Sequence, residues 1–277
     1  MGDGTQFLVR TGDEYEGIFP IWNWRRLPGS VIEQSPEALP VHNFGNGAEA
    51  PVTFASGLSD GNTGFFSIQT NREGISSNRS WFCVNGKIVH LMSNLSFVRE
   101  HDVWHTINQV FRRSDVYIDN QRVEVDSVTV PARSVWQDSV GYYFPAKTTV
   151  AVLSRQQSGS WFEINQSYPE ETITGEVFTL AQNYGKVGNG QSVCYMICPN
   201  VSSEDDLARI CSDVEVVSNT ADMHCIRDLN TGTYYLTTFK DNLVFRIPGT
   251  RKRLKIPHPG LCVLKRPVEG NRWEIVR

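Results

Sequence analysis

The sequence is short of the features that would place it in several large functional classes. No stretch approaches 18 apolar residues, so no transmembrane helix is predicted. Met1-Gly2-Asp3-Gly4-Thr5 has neither a basic nor an apolar region, so no signal peptide is expected there. That suits an intracellular chain, or a mature chain or fragment whose own start lies elsewhere. Positive charge is not in excess: 26 Lys and Arg stand against 30 Asp and Glu, a net charge of -4. Such a chain has no global field for nucleic acid or for an anionic membrane, so a polyanion must meet a local basic patch. Six cysteines in 277 residues, with no CxxC, are too sparse for a disulfide scaffold or a zinc motif. Cys194 and Cys198 would share one face of a strand. Buried thiols with an occasional disulfide are the expectation, and no metal site is predicted. No GxSxG, phosphate-binding loop or dinucleotide-type glycine motif occurs. His101 and His105 lack the Glu of HExxH, and structural or surface roles are expected for them and for His42, His90, His224 and His258.

Turn signals and β-formers are plentiful instead. Aromatic residues make up 11%, and there are 22 Gly and 13 Pro. Short runs of Val, Ile, Thr, Tyr and Phe lie between turn signals, which predicts antiparallel strands. Three hairpins are expected. The first turns on Asn85-Gly86, a strong type I′ signal. The second turns on Asp119-Asn120-Gln121. The third joins Tyr234–Phe239 to Leu243–Ile247 through Lys240-Asp241-Asn242. The one clear helical stretch is Ser202 to Cys211, with Ser202 or Ser203 as its cap and Glu204-Asp205-Asp206 in its first turn. The predicted division is 1–202, a short helical linker at 203–213, and a small β domain at 214–277.

Chemistry concentrates near the N-terminus. Asp13-Glu14-Tyr15-Glu16 precedes Phe19-Pro20-Ile21-Trp22-Asn23-Trp24-Arg25-Arg26-Leu27-Pro28-Gly29. In a strand, Trp22 and Trp24 would project to one face. With Asn23, Arg25 and Arg26 beside them they would make a sugar platform with anion-pairing groups. The alternative is that the tryptophans fill a core and the arginines cover its edge.

These segments resemble polysaccharide lyase family 8, the hyaluronate, chondroitin AC and xanthan lyases. Gly2-Asp3-Gly4, Asp13-Glu14-Tyr15 and the Phe19–Gly29 run resemble the family's opening β segment. Gly57-Leu58-Ser59-Asp60-Gly61, Asn78-Arg79-Ser80-Trp81-Phe82 and His105-Thr106-Ile107-Asn108-Gln109 resemble later motifs, in the same order. So do Gly141-Tyr142-Tyr143-Phe144, Gly159-Ser160-Trp161-Phe162-Glu163-Ile164-Asn165 and Tyr195–Asn200. The resemblance covers nearly the whole chain. It implies an all-β fold: a galactose-mutarotase-like β supersandwich followed by a small C-terminal β-sandwich.

The family reaction is β-elimination. A neutralised uronate carboxylate acidifies the C5 proton, a base removes it, and the glycosidic oxygen leaves from C4. Family members carry an α/α-toroid ahead of this region, with the catalytic Asn, His, Tyr and most of the Arg residues. The resemblance therefore implies a chain that supplies the β wall of the cleft, with a toroid and an acidic polysaccharide as partners and neither nucleic acid nor membrane. It also implies an extracellular or periplasmic setting. Glu14 matches an acid that supports the catalytic arginine, and Trp22, Asn23, Trp24, Arg25 and Arg26 would line the wall. No cofactor is implied, and a structural calcium is left open. Departures from the family pattern leave the polysaccharide open: Gly17 stands where an Asn is usual, Ser30-Val31 replaces two Thr, and Tyr184-Gly185 replaces His-Gly. The competing reading is a non-catalytic carbohydrate-binding or structural β-sandwich protein.

Overall fold

A computed structural model describes residues 4–39, 52–124, 126–265 and 273–276. Gly2, Asp3 and His42 lie outside the described residues. After a 3-10 turn at Trp24–Arg26, the first strands are β1 (Val31–Glu33), β2 (Val52–Ser59), β3 (Gly64–Arg72), β4 (Ile75–Val84), β5 (Lys87–Val98) and β6 (Val103–Phe111). Then come β7 (Val116–Ile118), β8 (Gln121–Val123), β9 (Ser127–Gln137) and β10 (Val140–Gly159). A single helical turn, α1 (Trp161–Ile164), separates β10 from β11 (Ile173–Asn183) and β12 (Val187–Pro199). Helix α2 (Asp205–Cys211) leads to β13 (Val214–Asn219), β14 (Met223–Asp228), β15 (Tyr234–Thr238), β16 (Leu243–Arg246), β17 (Arg253–Ile256), β18 (Gly260–Lys265) and β19 (Glu274–Val276). The all-β expectation is met, and every registered strand pair is antiparallel. The helix starts at Asp205 rather than Ser202.

The chain forms two compact units. The first comprises residues 1–49, 98–188 and 199–207. Its strands run in the order β1-β6-β11-β10, and β9 pairs with both β10 and β7. The first half of β11 alternates in burial, while its second half, from Val177, is buried on both faces. There Phe178, Leu180 and Ala181 are buried, as are Ile107, Tyr142, Val150 and Val152, and the Tyr142 and Phe178 rings lie 6.1 Å apart. The β7–β8 hairpin turns on two residues, not three: Ile118 pairs with Gln121, and Asp119 and Asn120 both take positive φ. Asp119 makes this tight turn possible by accepting the backbone N–H of Arg133 and Ser134 on β9. Asn and Asp tolerate that backbone region because their short side chains bond locally.

The second unit comprises residues 50–97, 189–198 and 208–277. Strands β12-β5-β4-β3-β2 lie side by side, β13-β14-β15-β18-β19 form a five-stranded sheet, and β16 pairs with β17. The Asn85-Gly86 turn is as expected: both residues have positive φ, and Val84 faces Lys87 across it. The expected hairpin between Tyr234–Phe239 and Leu243–Ile247 does not form. Strand β15 is buried at every residue and carries β14 on one edge and β18 on the other. With no edge free, β16 turns away and pairs with β17. Tyr234, Leu236, Phe245, Ile247, Ile256 and Leu264 close the core between these strands.

Candidate functional site

The segment 4–30 is not a strand. Ile21 and Trp22 donate backbone hydrogen bonds to the Ile18 carbonyl, and Trp24–Arg26 form a 3-10 turn. Asn23 caps that turn by accepting the Arg25 N–H at 2.8 Å. Gln109 of β6 holds it from below. Its Oε1 accepts the Asn23 N–H at 2.8 Å, and its Nε2 donates to the carbonyls of Asn23 and Arg26. The coil is pressed hard against β10. A Cβ on Gly159 would stand 1.7 Å from the Pro20 carbonyl oxygen, so only glycine admits this approach.

Trp22 and Trp24 therefore do not share a strand face, which corrects the expected geometry. Trp22 is buried against Ile18, Ile21 and Val177. Trp24 stays half-buried, perpendicular to Trp22 at 5.5 Å. The aromatic contacts continue outward. Phe7 stacks on Trp22 at 6.2 Å, Phe19 lies 5.7 Å from Trp24 and 6.4 Å from Trp161, and Tyr168 stacks on Trp161 at 5.6 Å. Phe7, Phe19 and Tyr168 are exposed. The result is a ridge of rings, anchored by Trp22 and open to solvent along Phe19, Trp24, Trp161 and Tyr168. Edge-to-face and offset contacts of this kind fix ring positions as well as burying area.

Cations flank the ridge without carboxylate partners among the described residues. Arg25 donates to the carbonyls of Glu37 and Ala38. Arg26 bonds Gln34 Oε1 and lies 4.3 Å over the Trp104 ring. Burial, and then repulsion from Arg155 of β10, pull the Arg26 guanidinium below its ordinary pKa. Like charges held near one another in the absence of a counter-ion leave room for an external anion.

Glu14 is 4% exposed and serves its own loop. It accepts the backbone N–H groups of Arg10 and Thr11 at 2.8 Å and of Gly12 at 3.1 Å. Burial opposes its ionisation, but these amides outweigh burial and bring the carboxyl down to about 2. Its Oε1 also lies 3.9 Å from Nε of Arg10, whose other end meets Asp138 at 3.0 Å. Asp13 is drawn to Arg113 at 2.9 Å, and that bond leads the causes that bring its carboxyl to about 2. Beneath the loop, the Tyr15 hydroxyl donates to Asn108 Oδ1 at 3.3 Å, and Asn108 donates to the Tyr142 hydroxyl at 2.7 Å. Burial raises Tyr15 to about 12, so neither phenol is an accessible base near neutrality.

Arg155, Gln109, Trp161 and Tyr168 belong to this site without a role that the sequence announced. Arg155 is an isolated residue in a strand pattern and carries no local signal. The quoted motifs containing Gln109 and Trp161 did mark them, but without a role. Of the histidines, His224 invites comparison with a nucleophile–base pair, since Ser80 Oγ lies 2.7 Å from Nδ1 and Ser93 Oγ 2.8 Å from Nε2. Complete burial lowers its pKa to about 3, and the two hydroxyls occupy both nitrogens. It cross-links β4, β5 and β14, as a structural histidine does.

Comparison with known proteins identifies the family of the domain that carries this arrangement. The super-sandwich domain model of polysaccharide lyase family 8 matches residues 1–209. The chain belongs to polysaccharide lyase family 8. The chondroitinase-AC of Pedobacter heparinus is 24% identical over 231 residues, covering 82% of this chain and 33% of the relative. The hyaluronate lyase of Thermasporomyces composti is 24% identical over 275 residues, covering 93% and 34%. A chondroitinase AC lyase solved with oligosaccharides superposes with a TM-score of 0.83 at 21% identity, over 92% of this chain and 38% of that one. A Paenibacillus xanthan lyase gives 0.83 at 16% identity, over 96% and 27%. The chain thus spans about a third of the length of these curated relatives.

Proposed function

We propose that this chain supplies the β-sandwich wall of the substrate cleft in a family 8 lyase acting on uronate-containing polysaccharides of the hyaluronan or chondroitin type. The observation that carries this reading is the open aromatic ridge bordered by Arg25, Arg26 and Arg155, none of which has a carboxylate partner among the described residues. Pyranose faces stack on aromatic rings, and guanidinium groups take carboxylate or sulfate in bidentate fashion. Trp24 then serves as the stacking surface, with Trp22 as its buried support. Arg25 and Arg26 meet the acidic groups of the glycan, Asn23 holds the turn, and Glu14 holds the loop that presents Arg10.

The proton transfers of β-elimination are assigned to a companion α/α-toroid. Tyr142 is buried, Tyr15 is half-buried, and both are raised in pKa, while His224 is buried and doubly bonded, so these groups are poor acid–base candidates. The residues from Val214 onward form, on this reading, the small C-terminal β domain of the lyase type. The acidic polymer places the working site outside the cytoplasm, in the periplasm or beyond the cell.

Calorimetry with hyaluronan and chondroitin oligosaccharides tests the reading. Binding by the chain, weakened roughly tenfold or more in Trp24→Ala with the unfolding transition still cooperative, is the expected result. A chain that binds neither glycan overturns it. Ultraviolet absorbance from an unsaturated uronate, produced by the chain alone, would move catalysis into this domain.

A further inference from the structure

No disulfide joins any of the six cysteines in the structure. Two of them nevertheless meet. Cys198, at the end of β12, and Cys211, at the end of α2, bring their Sγ atoms to 3.4 Å. Both are buried, at 1% and 3% exposure. No comparable pair exists at Cys225 and Cys262. Those two face Leu236 from opposite sides, on β14 and β18, with β15 between them. Two strand spacings of about 4.8 Å put their backbones beyond the reach of a bridge.

The surroundings of the close pair favour reaction. The Lys87 ammonium is buried nearby, held to Asp213 at 2.7 Å, and Asp213 also accepts from Asn85 at 3.0 Å. The contact with Cys211, together with the Lys87 charge, draws the Cys198 thiol below its ordinary pKa despite burial. The same contact drives the Cys211 thiol in the opposite direction. A thiolate beside a cation is the usual form of a reactive cysteine.

We propose that Cys198 and Cys211 form a disulfide that links the end of β12 to the end of α2 when the chain folds in an oxidising medium. The oxidant is a small-molecule disulfide such as oxidised glutathione. The Cys198 thiolate attacks one sulfur and releases one glutathione thiolate. Cys211 loses its proton and attacks Cys198 Sγ in the mixed disulfide, which releases the second. Two protein thiols are oxidised, one small disulfide is reduced to two thiols, and the Cys198–Cys211 bond forms. Access comes during folding. Helix α2 has only seven residues, too few to be stable before it docks.

The test uses the whole chain refolded in a mixture of reduced and oxidised glutathione, then alkylated under denaturing conditions and weighed. Four alkylations per molecule, with tryptic peptide 187–209 joined to 210–227, are expected. Each peptide holds a second cysteine, Cys194 or Cys225. Repeating the map in Cys194→Ser and Cys225→Ser fixes the pairing. Dithiothreitol should lower the melting temperature of the oxidised chain by roughly 5 °C or more, and should not move that of Cys198→Ser or Cys211→Ser. Six alkylations after full exposure to oxidant, or a bridge through any other cysteine, overturns the proposal. The wild-type map decides this even where a serine variant fails to fold.

Discussion

A single carboxylate shows how a motif residue earns its place. Glu14 sits in the acidic run Asp13-Glu14-Tyr15-Glu16, yet it is buried and its oxygens are filled by three amides of its own loop. Its pKa is lowered in the folded state, to about 2 from an ordinary 4.5. The stability it contributes is therefore complete above about pH 4.5 and is lost as pH falls towards 2. Glu14→Gln retains the shape but replaces an anionic acceptor with one neutral oxygen and two donors. A loss of about 1–3 kcal/mol at pH 7 is expected. Urea midpoints of wild type and variant, measured at pH 7, 5 and 3, should converge as the pH drops. A gap that stays constant would mean that the charge of Glu14 is not what holds the loop.

At the scale of elements, the aromatic ridge depends on a coil lying where no strand pairing holds it. Gln109 on β6 and the absent side chain at Gly159 on β10 together set its position. Gly159→Ala inserts a methyl group into the Pro20 carbonyl, and backbone has little room to yield. The expected cost is about 1–3 kcal/mol. Displacement of Trp22 should also shift the intrinsic fluorescence to the red, and oligosaccharide binding should fall. Unchanged emission together with unchanged stability would show that the coil adapts freely. This dependence also explains what could be read from the residues in advance. The Asn85-Gly86 hairpin was legible because its signal is local and both residues need positive φ. The family motifs, and with them the all-β fold, were legible in their order along the chain. The strand expected at Trp22 and Trp24 does not form because the bonds that hold the coiled segment against the sheet come from Gln109, 86 residues away. The third hairpin failed for a related reason: sheet order decides pairing, and β15 had already found two partners.

For the whole molecule, the decisive quantity is where its charge lies. A net charge of -4 opposes the approach of an acidic polymer, so affinity must come from a local excess of cations. Arg25 and Arg26 were legible beside the tryptophans. Arg155 was not, because only the fold brings β10 to that position. If the three act together on anionic groups of the glycan, removing any one should weaken binding and flatten its salt dependence. Arg155→Gln is the informative choice, since the exposed side chain has no described protein partner to lose and the fold should be unaffected. An affinity loss of roughly fivefold at low ionic strength is expected, shrinking as salt approaches about 0.5 M, where the screening length is only a few ångströms. Titrations of wild type and variant with chondroitin oligosaccharides across that range make the comparison. Parallel salt curves, offset or coincident, would remove Arg155 from the anion site and leave the ridge to bind sugar through its rings and the two arginines of the turn.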